Sequence, residues 1–253
     1  MERRIPAKEM KVRTDLAACY RLIEYYGMSD LLASHISARV PSTKDEFLLN
    51  PYGMCFDEIT ASDLLRVNYD GEVLDETNYS LSTAAFNIHS AVLKGRPDLT
   101  CALHTHTVAG MAVSALEEGI LPLNQLAIAF YKRVAYHDYE GPASREGGVD
   151  ECAALQRDLG PEKKCMVLHN HGLLTAGETI AEAFGLMRRL EKTCETQMYT
   201  MAMNAGGGTM RKVSYETCEE YYKIQGQRGR GRHDAAWPAL LRKLDKIDPS
   251  YKH

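Results

Sequence analysis

Hydrophobic positions change period several times along the chain, and each change marks an element. From 11 to 27, Val12, Leu16, Tyr20, Ile23 and Tyr26 recur every three or four residues, which predicts a helix stopped by Gly27. "SHISARV" then alternates Ile36, Ala38 and Val40, the pattern of a half-buried strand. "EFLLN" reads as its partner, ended at the Pro51/Gly53 turn. "ITASDLLRV" reads as a short helix opened near Thr60 or Ser62, and "RVNYDGEVLD" as a hairpin turning at Asp70-Gly71. A helix from Thr83 to Leu93 stops before Arg96-Pro97-Asp98, and "TCALHTHT" follows as a strand. Residues 108 to 117 read as helix, "RVAYHDY" as strand, 149 to 159 as helix, and "CMVLHNH" as strand, with "LLTAG" after Gly172. Thr179 and Glu182 form a capping box for a long helix to Ala205, closed by Gly206 to Gly208. Beyond it come a short helix at Tyr215 to Ile224 and a polar connector. Strands separated and followed by helices predict one mixed α/β domain around a largely antiparallel sheet.

Composition narrows the function classes. The 253 residues suffice for one large domain or two small ones, and the net charge of −4 gives no electrostatic reason to bind nucleic acid. The three arginines of "GQRGRGRHD" lack interleaved aromatics and read as a solvated segment. No apolar stretch is long enough to span a membrane, and the first residues lack a signal-peptide core. Seven scattered cysteines without a Cys-x-x-Cys fit reduced thiols in the cytoplasm.

Histidine spacing carries the chemistry. Side chains two apart on a strand share a face, so His104 and His106 point one way while Cys101, Leu103 and Thr105 point the other. Two imidazoles on one rigid face are half of a metal site. "LHNHG" repeats the spacing with His169 and His171, again ahead of a glycine. Two such segments side by side can bring three or four imidazoles to one ion. Spacing leaves open whether His169 or His171 points inward, and an all-imidazole site suits zinc, iron, manganese, cobalt or nickel.

The stretches "HISARV", "FLLNPYG", "EITASDLL", "FNIHSAVLKGRPDLTCALHTHT" and "LHNHGLLTAGETIAEAF" resemble the class II aldolase/adducin family, the adducin-like branch most closely. The resemblance runs from about Gly27 to Cys194. It implies a single class II aldolase-like domain over residues 1–210, a mostly antiparallel sheet between helices in three αβα layers, with residues 211–253 as a C-terminal helix and polar tail on or near it. It implies one divalent metal per subunit, zinc by resemblance, with iron or manganese open. Carried over, the ligands are His104, His106 and His171, with His169 and His89 behind them. His89 is structural first and a proton relay second. Gly53, Thr83 and Ala85 fall on positions that line the substrate pocket. The resemblance further implies a homo-oligomer, commonly a tetramer.

Two departures matter. The aldolases place a catalytic glutamate four residues before the histidine that matches His89. Here that position is Ala85, which cannot move a proton. Residues that hold a substrate phosphate in the aldolases appear as His35, Thr83 and Ala84, so most of the phosphate cradle is missing. What remains is an ion with open positions, suited to a small chelating acid or carbonyl compound and to cleavage of a carbon–carbon bond. Candidate proton donors are Tyr131, Tyr136, Tyr139 and His35. Arg145, on a loop, is a candidate contact for an acidic substrate, although an exposed loop arginine is the commoner case. The expected activity is that of a metal-dependent decarboxylase or aldolase-type lyase. The alternatives are a non-heme iron oxygenase acting on aryl 2-keto acids and a non-catalytic, adducin-like interaction module.

Overall fold

The computed structural model describes residues 4–139, 141, 151–227 and 232–253. Arg145, Arg228 and Arg230 lie outside the described residues. Among the described residues, seven strands form one sheet. In chain order they are β1 (His35–Arg39), β2 (Glu46–Leu49), β3 (Leu65–Asn68), β4 (Cys101–Thr105), β5 (Val134–His137), β6 (Cys165–Leu168) and β7 (Gly172–Gly177). They lie in the spatial order β3-β2-β1-β4-β7-β6-β5. Every pairing is antiparallel except β5 with β6.

Helices cover both faces. α1 (Ala7–Tyr25), α3 (Val108–Ser114), α5 (Ile180–Ala205) and α7 (Arg232–Ile247) bury their apolar sides with Ile36, Leu103, Val167 and Leu173. α2 (Thr83–Gly95) and α4 (Glu151–Leu159) pack on the opposite face with Ala102, Met166 and Leu174. The result is the expected three-layer arrangement. Double coverage also explains why β1 is buried along almost its whole length rather than on alternate residues.

Helix starts follow the capping chemistry. Ser82 accepts from Ala85 N, Thr107 from Gly110 N and Thr179 from Glu182 N. Glu182 reaches back to the amide of Glu178, at 2.8 Å, one residue earlier than a standard capping box. The hairpin turn at Gly71 forms, but its returning limb keeps only the bridge Val67–Val73.

Two expectations need correction. Residues 60–64 form a turn, not a helix. The amides of Ala61 and Ser62 donate to the carbonyls of Tyr251 and His253, and Asp63 holds the amide of Thr60. These amides are bonded to the chain's last residues, and Leu65 enters β3 directly. The tail is also more ordered than a polar connector. After α6 (Tyr215–Gln227), α7 packs Trp237 and Leu244 against α1 and α5, and Trp237 stands 5.9 Å from the ring of Phe184. Among the described residues, no helix is long and apolar enough to cross a membrane.

Candidate metal centre

β4 and β7 are neighbours, and this pairing builds the site. His104 is on β4, His106 lies just past its end, and His171 precedes β7. Cys101 and Leu103 face α1 and α5, whereas Ala102 faces α2 and α4. His104 shares that second face, as the alternation requires. His104 Nε2 stands 2.8 Å from His106 Nε2 and 3.2 Å from His171 Nε2. Among the described residues, these three are one of two groups whose ligand atoms are close enough to share an ion. The other, Cys55, Asp57 and Glu58, is partly to fully exposed.

The outer nitrogens test whether the rings suit a cation. His104 Nδ1 donates to the carbonyl of Leu173 at 2.9 Å. A neutral imidazole that donates from Nδ1 carries its lone pair on Nε2. His106 Nδ1 faces the Asp30 carboxylate at 3.4 Å, which favours the same tautomer. Two lone pairs are thus aimed at each other across 2.8 Å, an arrangement that a shared cation makes favourable. Tetrahedral zinc would hold such nitrogens about 3.4 Å apart, so the 2.8 and 3.2 Å separations would need to widen by about 0.6 and 0.2 Å. The donor set therefore fits a divalent metal.

Burial also keeps the rings neutral. Desolvation first, then repulsion from His35 and the other two rings, holds His104 well below the usual histidine range. Desolvation and then His106 bring His171 down to about 4. His106 is lowered by desolvation against the opposing pull of Asp30. Neutral imidazole is the form that binds metal.

The second histidine pair splits. His169, Asn170 and His171 form a turn rather than a strand, with Asn170 at φ +55° and His171 N bonded to Leu168 O. The alternation rule does not hold across that turn. His171 joins the cluster, while His169 Nδ1 contacts Ser114 O at 3.1 Å and its ring stacks on Tyr136. Gly172 follows because the strands approach closely. A Cβ there would stand 2.4 Å from Thr105 O and 3.2 Å from the His106 ring.

His35 pairs in register with His104, and their ring centres are 4.9 Å apart. Its Nδ1 is 2.7 Å from His89 Nε2, and His89 Nδ1 is 2.5 Å from Ser37 Oγ. This buried chain runs from α2 to the edge of the cluster. Burial first, then His104, takes His89 down to about 3. A cavity of about 10 Å³ beside His171, lined also by His137, Tyr139 and His169, has room for one water molecule.

Other expected residues lie elsewhere. Within one chain, Tyr131 is not brought to the cluster, and its hydroxyl donates to Glu219 at 3.0 Å. The Tyr136 hydroxyl accepts from Ile120 N. Tyr139 stays close, its ring 6.0 Å from that of His171. Gly53 lies in an exposed turn, and Thr83 is exposed at the start of α2. Ala85, expected on the pocket wall, is only 1% exposed and packs with Phe47, Leu49 and Leu65, so it offers no surface to a ligand. Sequence reasoning passed over Asp30, Ser37 and the pair His137–Asp158, whose nitrogen and oxygen are 2.7 Å apart. None of them stands in a pattern that sequence alone marks as chemical.

Comparison with known proteins identifies the family. Residues 14–198 match the family model described as "Class II Aldolase and Adducin N-terminal domain". The chain is 43% identical over 256 residues to the "Putative aldolase class 2 protein" of Pseudomonas aeruginosa, covering 100% of this chain and 96% of that one. It is 43% identical over 201 residues to rat alpha-adducin, covering 79% of this chain but 27% of the adducin. Among solved structures, an aldolase II superfamily protein from Pseudomonas syringae superposes with a TM-score of 0.89 at 40% identity, covering 98% of each chain. The L-fuculose 1-phosphate aldolase of Glaciozyma antarctica superposes at 0.80 with 26% identity, over 100% of this chain and 97% of that one. The chain belongs to the class II aldolase and adducin N-terminal domain family.

Proposed function

We propose that the protein is a metal-dependent carbon–carbon lyase, of decarboxylase or retro-aldol type, acting on a small chelating keto or hydroxy acid that is not a sugar phosphate. One observation carries this reading. Three Nε2 atoms converge, with 2.8 and 3.2 Å separations from His104, and the outer nitrogen of His104 is held as a donor. His104, His106 and His171 would hold the ion, zinc by family likeness. It supplies a positive charge that stabilises negative charge developing on a bound substrate oxygen.

The chain's own residues do the rest. Three protein ligands leave coordination positions for a chelating substrate. Thr83 is the one remaining hydroxyl of the phosphate cradle, and an imidazole at position 35 stands where the aldolases bind phosphate, which argues against a sugar phosphate. Ala85 cannot take up a proton, so another group must return it, and the candidates beside the cluster are Tyr139 and, by relay, the neutral ring of His35. The Nδ1 of His35 is linked through His89 to the Ser37 hydroxyl. We further propose a cytoplasmic homo-oligomer, a tetramer by family likeness, with residues 1–210 as the family domain and 211–253 as its extension.

Elemental analysis of protein purified without added metal tests the reading, alongside decarboxylation assays on aryl 2-keto acids with and without oxygen. Stoichiometric zinc or manganese with carbon dioxide release is the expected result, and His171→Ala should lose the metal. Iron with oxygen uptake would move the activity to an oxygenase. Ala85 favours a second reading, an adducin-like binding module. Protein free of metal and indifferent to chelator would select it.

A further inference from the structure

We propose that Asp30 is a positioning residue that fixes the tautomer and ring direction of His106, so that the cation-binding nitrogen of this ligand is set by the loop between α1 and β1. The inference rests on the metal reading above.

His106 needs such support more than its partner on β4. His104 is within the strand, paired with Leu174, and its outer nitrogen is tied to a carbonyl. His106 lies beyond the last residue of β4 and has no ladder pairing to hold it. The polar group facing its Nδ1 is Asp30 Oδ2, at 3.4 Å. A carboxylate accepts only, so it selects the ring form with hydrogen on Nδ1 and the lone pair on Nε2. That Nε2 is the atom 2.8 Å from His104 Nε2.

The loop is built to present this carboxylate. The Asp30 amide donates to Ser34 Oγ at 3.1 Å, and the Asp30 carbonyl accepts from Ala33 N at 2.8 Å. Ser34 is fully buried, and Met28 anchors the other side of the loop in the core. Between them Leu31 adopts φ +43°, a left-handed conformation that disfavours a branched side chain. What this loop presents to the site is the Asp30 carboxylate, 3.4 Å from His106 Nδ1.

Zinc affinity, read by competition with a chromophoric chelator, is compared for the full-length protein, Asp30→Asn and Asp30→Ala. Nitrogen chemical shifts of His106 report its tautomer in the metal-free state. Asp30→Ala should weaken zinc binding about 10- to 100-fold and mix the two tautomers, with the melting temperature of the metal-free protein unchanged. Asp30→Asn keeps an acceptor oxygen and should lose less. Wild-type affinity and an unchanged His106 tautomer in Asp30→Ala would overturn the proposal. If the wild type binds none of zinc, manganese or iron, the metal reading and this role in metal binding fail together. If zinc binds equally in all three proteins, only the role of Asp30 fails.

Discussion

His169 and His171 are the same residue type two positions apart, yet one joins the cluster and the other stacks on Tyr136. A left-handed Asn170 separates them, and a turn of that kind sends the two side chains in different directions. Spacing alone left the choice between them open. The family likeness favoured His171, which is the ring found beside His104. Gly172 shows the same dependence on local geometry. Gly172→Ala would drive a methyl to 2.4 Å from a backbone oxygen of β4 and 3.2 Å from the His106 ring. It should lower stability by about 1–3 kcal/mol, the usual cost of overpacking, and weaken zinc binding, as urea unfolding and metal titration would show. Asp30 was illegible for a different reason. An aspartate in a loop reads as a solvated charge until the fold brings it to a ligand 76 positions later.

At the scale of elements, periodic segments were readable and context-dependent ones were not. The long helix to Ala205 and its Thr179 cap followed from pattern and capping chemistry. The segment at 60–64 has helix-like composition, but two of its amides are bonded to the carbonyls of Tyr251 and His253. Helix α7 was missed although Trp237, Leu240, Leu241 and Leu244 carry helical spacing. The arginine-rich stretch before it and Pro238 within it masked the signal. Those side chains cover the α1/α5 layer, so the tail belongs to the core. Trp237→Ala should accordingly cost about 3–5 kcal/mol, measured as a fall in the urea midpoint. A change within about 0.5 kcal/mol, typical of a surface position, would mean that α7 does not pack as described.

For the whole molecule, the sheet order is the decisive fact. β4 is central, with β1 on one side and β7 on the other, so His35, His104 and the start of β7 meet although they are far apart in sequence. The cost is a set of imidazoles buried in the neutral form. His89 has its folded pKa near 3 and His171 near 4, against an ordinary value of 6.5. Between those values and 6.5 the unfolded chain binds more protons, so acid favours unfolding. Metal-free protein should be at full stability above pH 6.5 and lose about 1.4 kcal/mol per pH unit for each such histidine as the pH falls below it. Urea unfolding at pH 7, 6 and 5 measures this slope. A flat profile would mean that these rings do not titrate differently in the folded and unfolded chains.

The sequence by itself determined the α/β alternation, the caps, and the two histidine pairs at strand ends, because these depend on neighbours within a few residues. It also carried the family likeness, and with it the expectation of a metal. Only the tertiary structure decided that His171 rather than His169 completes the cluster, that Ala85 lies in an apolar core, that Tyr131 is bonded to α6, and that the chain's end is packed against its beginning. Each of those depends on which distant groups claim a hydrogen bond or a buried surface first, and the folded contacts alone settle that competition.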